Sequence, residues 1–292
     1  MIATYTLLAL AVLALWTGGG DASPALRRFL WVLPFVGSLG AALTAGIVQP
    51  LGLVWIGSFA FAAHAFARPR ASRNQLLVTA AVILVLAAGL MAHRLPGFQN
   101  PRVISALRLS PDAIPYTLYL NYDKTLIGLF VLGWCHARIA RLADWRSMLA
   151  ATAPVAGGLI AVILVLSLAI GYVRPDPKFP AVTWLWLAVN LLFTCVAEEA
   201  LFRGFIQAQL RRAWKPARWG RPLALVVAAV LFGLAHFAGG AVYVALATVA
   251  GLGYGWAYER TQRIEASILT HFALNSAHFL GFTYPALQDV IG

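Results

Sequence analysis

Acid is scarce in this chain. Ten Asp and Glu stand against twenty-two Lys and Arg in 292 residues, and charged residues of both signs make up only 11%. A soluble domain carries about 25%, so the composition excludes an ordinary soluble globular protein. Hydrophobic residues reach 61%, and spanning segments with short loops use up almost the whole length, leaving no stretch for a separate soluble domain. Cysteine is nearly absent. Cys135 and Cys195 fall in apolar runs with no CxxC motif, which rules out a disulfide framework and reads as small packing residues. The first segment has no basic n-region and no A-x-A-like site after Thr17, so it reads as a retained helix and not a cleaved signal. Nor is there an internal repeat of the kind that marks inverted-repeat transporters.

What remains is hydrophobic length. At about 17–25 residues per span, the candidate helices are Ile2–Thr17, Phe29–Val48, Leu51–Phe66, Leu76–His93, Thr125–Ile139, Leu149–Val173, Trp184–Phe205, Leu223–Phe237, Ala241–Tyr258 and Ile264–Phe282. The fold class is therefore all-α, a polytopic integral membrane bundle of roughly 8–10 transmembrane helices. The lower number applies if the short segments at Leu51 and Thr125 are re-entrant. Residues 94–124, with Pro96, Pro101, Pro111 and Pro115, form a long external connection.

The net charge of +12 is a topology signal. With the N-terminus outside, sixteen of the twenty-two Lys and Arg fall on the cytoplasmic side: Arg27, Arg28, Arg68, Arg70, Arg73, Arg138, Arg141, Arg146, the Arg203–Arg221 group, Arg260 and Arg263. Arg94, Arg102, Arg108, Lys124, Arg174 and Lys178 fall outside. This is the positive-inside bias, and the basic excess serves topology and anionic lipid. No nucleic-acid partner is expected; the lipid bilayer is one.

Two composition regimes follow one another. Residues 1–175 read as membrane helices and an external loop, residues 176–292 as the part that carries chemistry. From about residue 181 polar side chains appear at intramembrane positions: Asn190, Glu198, Glu199, His236, His271, Asn275 and His278. A carboxylate at bilayer depth costs several kcal/mol unless it is paired or used, so each acid calls for a partner. Glu199 precedes Arg203 by four residues, the favourable order for an ion pair on one helix. Glu198 diverges from it by about 100° and has no local partner in sequence. It is the candidate general acid or base.

His271 and Asn275 share one face of the last helix, and His236 ends an apolar helix in which Gly233, Gly239 and Gly240 allow close backbone approach. His64, His93, His136 and His278 read as structural hydrogen-bonders. Glu198 and His236 suit deprotonation of a water. His271 and Asn275 suit hydrogen bonding to a developing oxyanion, worth ~3–4 kcal/mol per donor. That describes peptide-bond hydrolysis without a covalent intermediate, since no G-x-S-x-G nucleophile motif occurs; the zinc-protease motif H-E-x-x-H is absent as well. Zinc is an open alternative held by Glu198, His236 and His271. Residue counting places His236 ~21 Å and His271 ~10 Å from the cytoplasmic helix ends. Two other classes also accommodate the polar groups: a non-catalytic membrane factor, such as a bacteriocin-immunity or assembly scaffold, and a proton-coupled transporter.

Three short motifs carry a resemblance. Glu198-EALFRG matches E-E-x-x-x-R, Phe232-GLAH matches F-x-x-x-H, and His271-FALN matches H-x-x-x-N. In order and spacing they resemble the signatures of the CPBP intramembrane proteases, the group containing CAAX-processing endopeptidases and bacteriocin-associated membrane proteins, over roughly residues 180–280. The resemblance implies Glu198 as base working with His236, and His271 with Asn275 as the oxyanion-stabilising pair. Glu199 and Arg203 would be structural or positioning. It also implies a cavity open toward the cytoplasm, and a family described both as metal-dependent and as glutamic-type. The Arg-over-Lys, Ala-rich composition points to a bacterial inner membrane, where a membrane-anchored protein or peptide is the expected substrate in place of a prenylated CAAX protein.

Overall fold

The computed structural model describes residues 1–17, 29–69 and 72–291. Arg27, Arg28 and Arg70 of the cytoplasmic charge count lie outside the described residues. The helices are α1 (Ile2–Ala14), α2 (Val32–Thr44), α3 (Pro50–Phe66) and α4 (Arg73–Met91), then α5 (Tyr122–Phe130, prolonged by a π turn to Cys135) and α6 (Leu142–Ala169). They continue with α7 (Thr183–Ala213), α8 (Gly220–Leu234), α9 (Gly240–Thr261) and α10 (Ile264–Gly281). The chain is a helical membrane bundle: α4, α6, α7 and the Phe237–Thr261 helix are long and apolar enough to cross a bilayer, and α1, α2, α3 and α8 are shorter apolar helices. The Pro-rich connection contains two paired strands, β1 (Arg102–Leu107) and β2 (Tyr116–Tyr119).

Backbone proximity divides the chain into two compact units. The first comprises Met1–Pro101, Tyr119–Leu142 and Leu192–Phe205; the second comprises Arg102–Leu118, Ala143–Leu191 and Ile206–Gly292. Each unit thus draws on both sides of residue 175.

In the first unit α5 is the centre. Every residue from Thr125 to Gly133 is buried, as expected of a helix that meets protein and not lipid on all sides. Its aromatic side chains knit the neighbouring helices together: Phe130 packs edge-on to Phe59 of α3 at 5.6 Å and to Phe35 of α2 at 5.5 Å, and Trp134 meets Trp31 at 5.0 Å. Gly128 lets the backbone of α7 come close. A Cβ there would sit 3.0 Å from Val196 Cγ1 and 3.3 Å from Ala197 Cα. α4 opens with a capping box in which the Ser72 hydroxyl accepts from the Gln75 N–H and Gln75 answers the Ser72 N–H.

In the second unit α8 and α9 pack at closest range. A Cβ on Gly233 would lie 2.8 Å from the Val244 carbonyl oxygen and would overlap Thr248 Oγ1, so the expected close backbone approach is met there, whereas Gly239 meets only the Tyr243 side chain and Gly240 faces open space. The chain after α10 is laced to the segment after α6 by backbone bonds: Thr283 N–H to Arg174 O (2.9 Å), Asp176 N–H to Gly281 O (2.8 Å) and Leu287 N–H to Tyr172 O (3.0 Å). Asp176 lies outside the spans. A hydrogen bond from Ser110 and the nearby Lys178 ammonium, 3.1 Å from Asp176 Oδ2, hold its carboxyl below the usual carboxylate range.

Two predictions follow from this packing. Gly128→Val, which forces α5 and α7 apart, should destabilise the protein by about 2 kcal/mol, read as a lowered tryptophan-fluorescence unfolding midpoint in detergent. The contribution of Asp176 is full at neutral pH, where the carboxyl is ionised both folded and unfolded. It disappears as pH falls below about 4 and through the lower folded value. The stability gap between wild type and Asp176→Asn should therefore hold at neutral pH and narrow as pH falls below about 4.

Candidate active site

The acidic pair lies on α7, where π turns at Asn190–Cys195 and Ala200–Gln207 flank the α-helical residues Val196–Glu199. Such widened turns recur at functional sites because they re-aim side chains along a helix. Glu199 and Arg203 form the expected ion pair, Arg203 Nη1 donating to Glu199 Oε1 at 2.9 Å with both side chains fully buried. Glu198 points elsewhere, as the 100° divergence requires. It does have an ion partner, however, contrary to the reading of its local sequence. Lys124 Nζ of α5 donates to Glu198 Oε1 at 2.5 Å, with side-chain exposures of 13% and 6%. A lysine counted with the external loop is thus the first-turn residue of a buried helix. A charge buried to that depth is retained where an opposite charge meets it, and the two residues meet that condition for each other across 74 positions of sequence.

The second unit gathers the other three candidates. His236 lies just beyond the C-terminal end of α8, and its Nδ1 is 2.8 Å from the Phe232 carbonyl oxygen. A carbonyl only accepts, so Nδ1 carries the hydrogen and Nε2 is the basic nitrogen of the neutral ring. His271, 4% exposed on α10, stacks on Tyr254 at 4.5 Å and 16°. The Phe232 ring contacts both imidazoles, at 4.7 Å from His236 and 5.7 Å edge-on to His271. The phenylalanine of the F-x-x-x-H motif is therefore the shared support of two histidines. Helix α8 is only 15 residues long, about 22 Å, and short of a ~30 Å hydrocarbon layer, so position from its basic end does not measure position in the bilayer. One turn beyond His271, Asn275 Nδ2 donates to Asn190 Oδ1 at 3.3 Å. An amide nitrogen carries two hydrogens, and this bond engages one of them.

The remaining histidines serve as hydrogen-bonders and packing groups. His278 Nε2 donates to Thr283 O at 3.1 Å, and His64 meets Trp134 edge-on at 6.0 Å. His93 Nδ1 is 2.8 Å from Asp123 Oδ2. The residues that sequence reasoning passed over are Lys124, Tyr254 and the partners of Asp123. A Lys that opens an apolar helix, directly after an Asp, was the available signal for the first. Among the described residues no group of three or more His, Cys, Asp and Glu side chains gathers as a metal site, and the Lys124 ammonium already occupies the position beside Glu198 Oε1 that a cation would take.

Helices long and apolar enough to span a bilayer, with acids and histidines buried among them, define a class: a multi-pass membrane protein. The comparison with protein families narrows this. Residues 180–277, about a third of the chain, match the family model described as Type II CAAX prenyl endopeptidase Rce1-like, bearing out over that segment the resemblance carried by the three motifs. No curated protein and no solved structure gives a match. The match supports an endopeptidase of the CAAX type, acting on a membrane-embedded protein or peptide, as the general activity.

Removing Glu199 takes an ion partner from a fully buried guanidinium. Glu199→Ala should cost roughly 3–5 kcal/mol of stability, whereas Glu199→Leu combined with Arg203→Met should return much of it. Thermal unfolding of the three proteins in one detergent measures both effects.

Proposed function

We propose that the protein is an intramembrane endopeptidase that hydrolyses a peptide bond of a membrane-associated protein or peptide by direct attack of water. Glu198 and His236 take the proton of the attacking water as its oxygen bonds to the scissile carbonyl carbon. The carbonyl electron pair moves to oxygen, where His271 and Asn275 donate hydrogen bonds to the developing charge. The tetrahedral intermediate then collapses with loss of the C–N bond, and the proton held by Glu198 or His236 passes to the leaving amine. No covalent enzyme intermediate forms. Glu199 and Arg203 lock the helix that carries Glu198.

The observation that carries this reading is the state of the two imidazoles inside the family-matched segment. Both rest on the Phe232 ring, and the bond from Nδ1 to the Phe232 carbonyl gives His236 the tautomer a general base needs. A lone packing histidine requires neither feature. The same reading takes residues 176–292 as the catalytic core and 1–175 as a family-specific extension. It takes the membrane to be the bacterial inner membrane, with the site reached from the cytoplasmic side, on the positive-inside bias of the loop Lys and Arg.

In proteoliposomes carrying a membrane-anchored reporter peptide, Glu198→Gln and His236→Ala should each lower cleavage about 10³-fold, and His64→Ala should leave it unchanged. Equal cleavage by all three would remove the assignment; substrate flux without cleavage, lost in Glu198→Gln, would replace it with a transporter.

A further inference from the structure

We infer that Lys124 is a positioning residue for Glu198, and that the clamp around Asp123 holds Lys124 in place for that role. The inference rests on the reading of Glu198 as the base. Lysine carries its charge on a flexible four-carbon stem, so a fixed 2.5 Å contact to Glu198 Oε1 requires a fixed backbone beneath it. That backbone is pinned from two directions. On the N-terminal side, Asp123 Oδ2 meets His93 Nδ1 at 2.8 Å, and its Oδ1 accepts from Asn100 Nδ2 and from the Lys124 N–H, each at 2.8 Å. Asn100 Oδ1 in turn accepts the Tyr122 N–H at 2.9 Å. One turn on, Gly128 brings the same face of α5 against Val196 and Ala197, the residues directly before Glu198.

His93 adopts a left-handed backbone, φ +54°. For a residue with a Cβ this conformation costs of order 1–3 kcal/mol and persists where its surroundings impose it. Here the surroundings are the end of α4, which His93 closes with the Arg94 N–H reaching Gly89 O at 2.9 Å, and that closure presents its ring to Asp123. The product of these contacts is an ammonium held at one oxygen of the acid. It neutralises the buried charge and sets the direction in which the carboxylate faces, the orientation on which proton transfer in a dry site depends.

Reporter-peptide kinetics with a parallel thermal-unfolding control test the inference on four variants. Lys124→Met should lower kcat roughly 100-fold at unchanged KM, and Lys124→Arg should recover to within about tenfold of wild type because the cation is restored. The double variant His93→Ala with Asn100→Ala removes both clamp donors without touching Lys124 or Glu198, and should lower kcat about tenfold at unchanged KM. Wild-type kcat in Lys124→Met, or a change confined to KM, overturns the inference. If Lys124→Met does not fold, the clamp variant decides, and wild-type kcat there overturns it. Glu198→Gln separates the two levels. Its inactivity beside a fully active Lys124→Met refutes only the role of Lys124, whereas full activity of Glu198→Gln refutes the endopeptidase reading itself.

Discussion

Two carboxylates stand next to one another inside an apolar helix, and each faces a cation: Glu199 meets Arg203 of its own helix, and Glu198 meets Lys124 of α5. Neither charge survives burial alone. Much of the architecture of the first unit follows from supplying the second cation. α5 has to be buried on all sides to carry Lys124 to that depth, Gly128 has to lack a side chain for α7 to approach, and the first turn of α5 has to be tied to the chain around His93 and Asn100. A buried ion pair adds little stability over a well-packed apolar pair. Its retention in an otherwise apolar interior therefore points to a use for the charge.

The second unit solves a related problem with rings in place of ions. A neutral imidazole in an apolar interior needs a partner for its N–H and a surface for its faces. His236 finds the first in the Phe232 carbonyl and the second in the Phe232 and Tyr243 rings, while His271 lies flat on Tyr254. Aromatic neighbours restrict ring orientation without themselves occupying a ring nitrogen. The Asn190–Asn275 bond does the same for the amide.

Legibility in the sequence tracked how local each interaction is. Glu199 and Arg203 are four residues apart, so helical geometry alone pairs them. The three motifs lie within a hundred residues and keep their order, which is why the family resemblance was visible. Lys124 escaped because charge counting assigns every residue before an apolar run to a loop, and nothing at position 124 refers to position 198. The paired strands β1 and β2 hid in a segment whose prolines announced only that it was not helical.

By itself the sequence determined that this is a helical membrane protein, where acids, imidazoles and amides fall inside its apolar runs, and that one acid is locked to an arginine. Those properties depend on hydrophobic length, residue type and helical period, each readable within a few turns of chain. Only the tertiary structure decided what faces Glu198, which ring supports both histidines and which nitrogen of His236 bears the proton. These are meetings of groups far apart in sequence, and which of them come within 3 Å of one another is set by the packing of helices and not by their order along the chain.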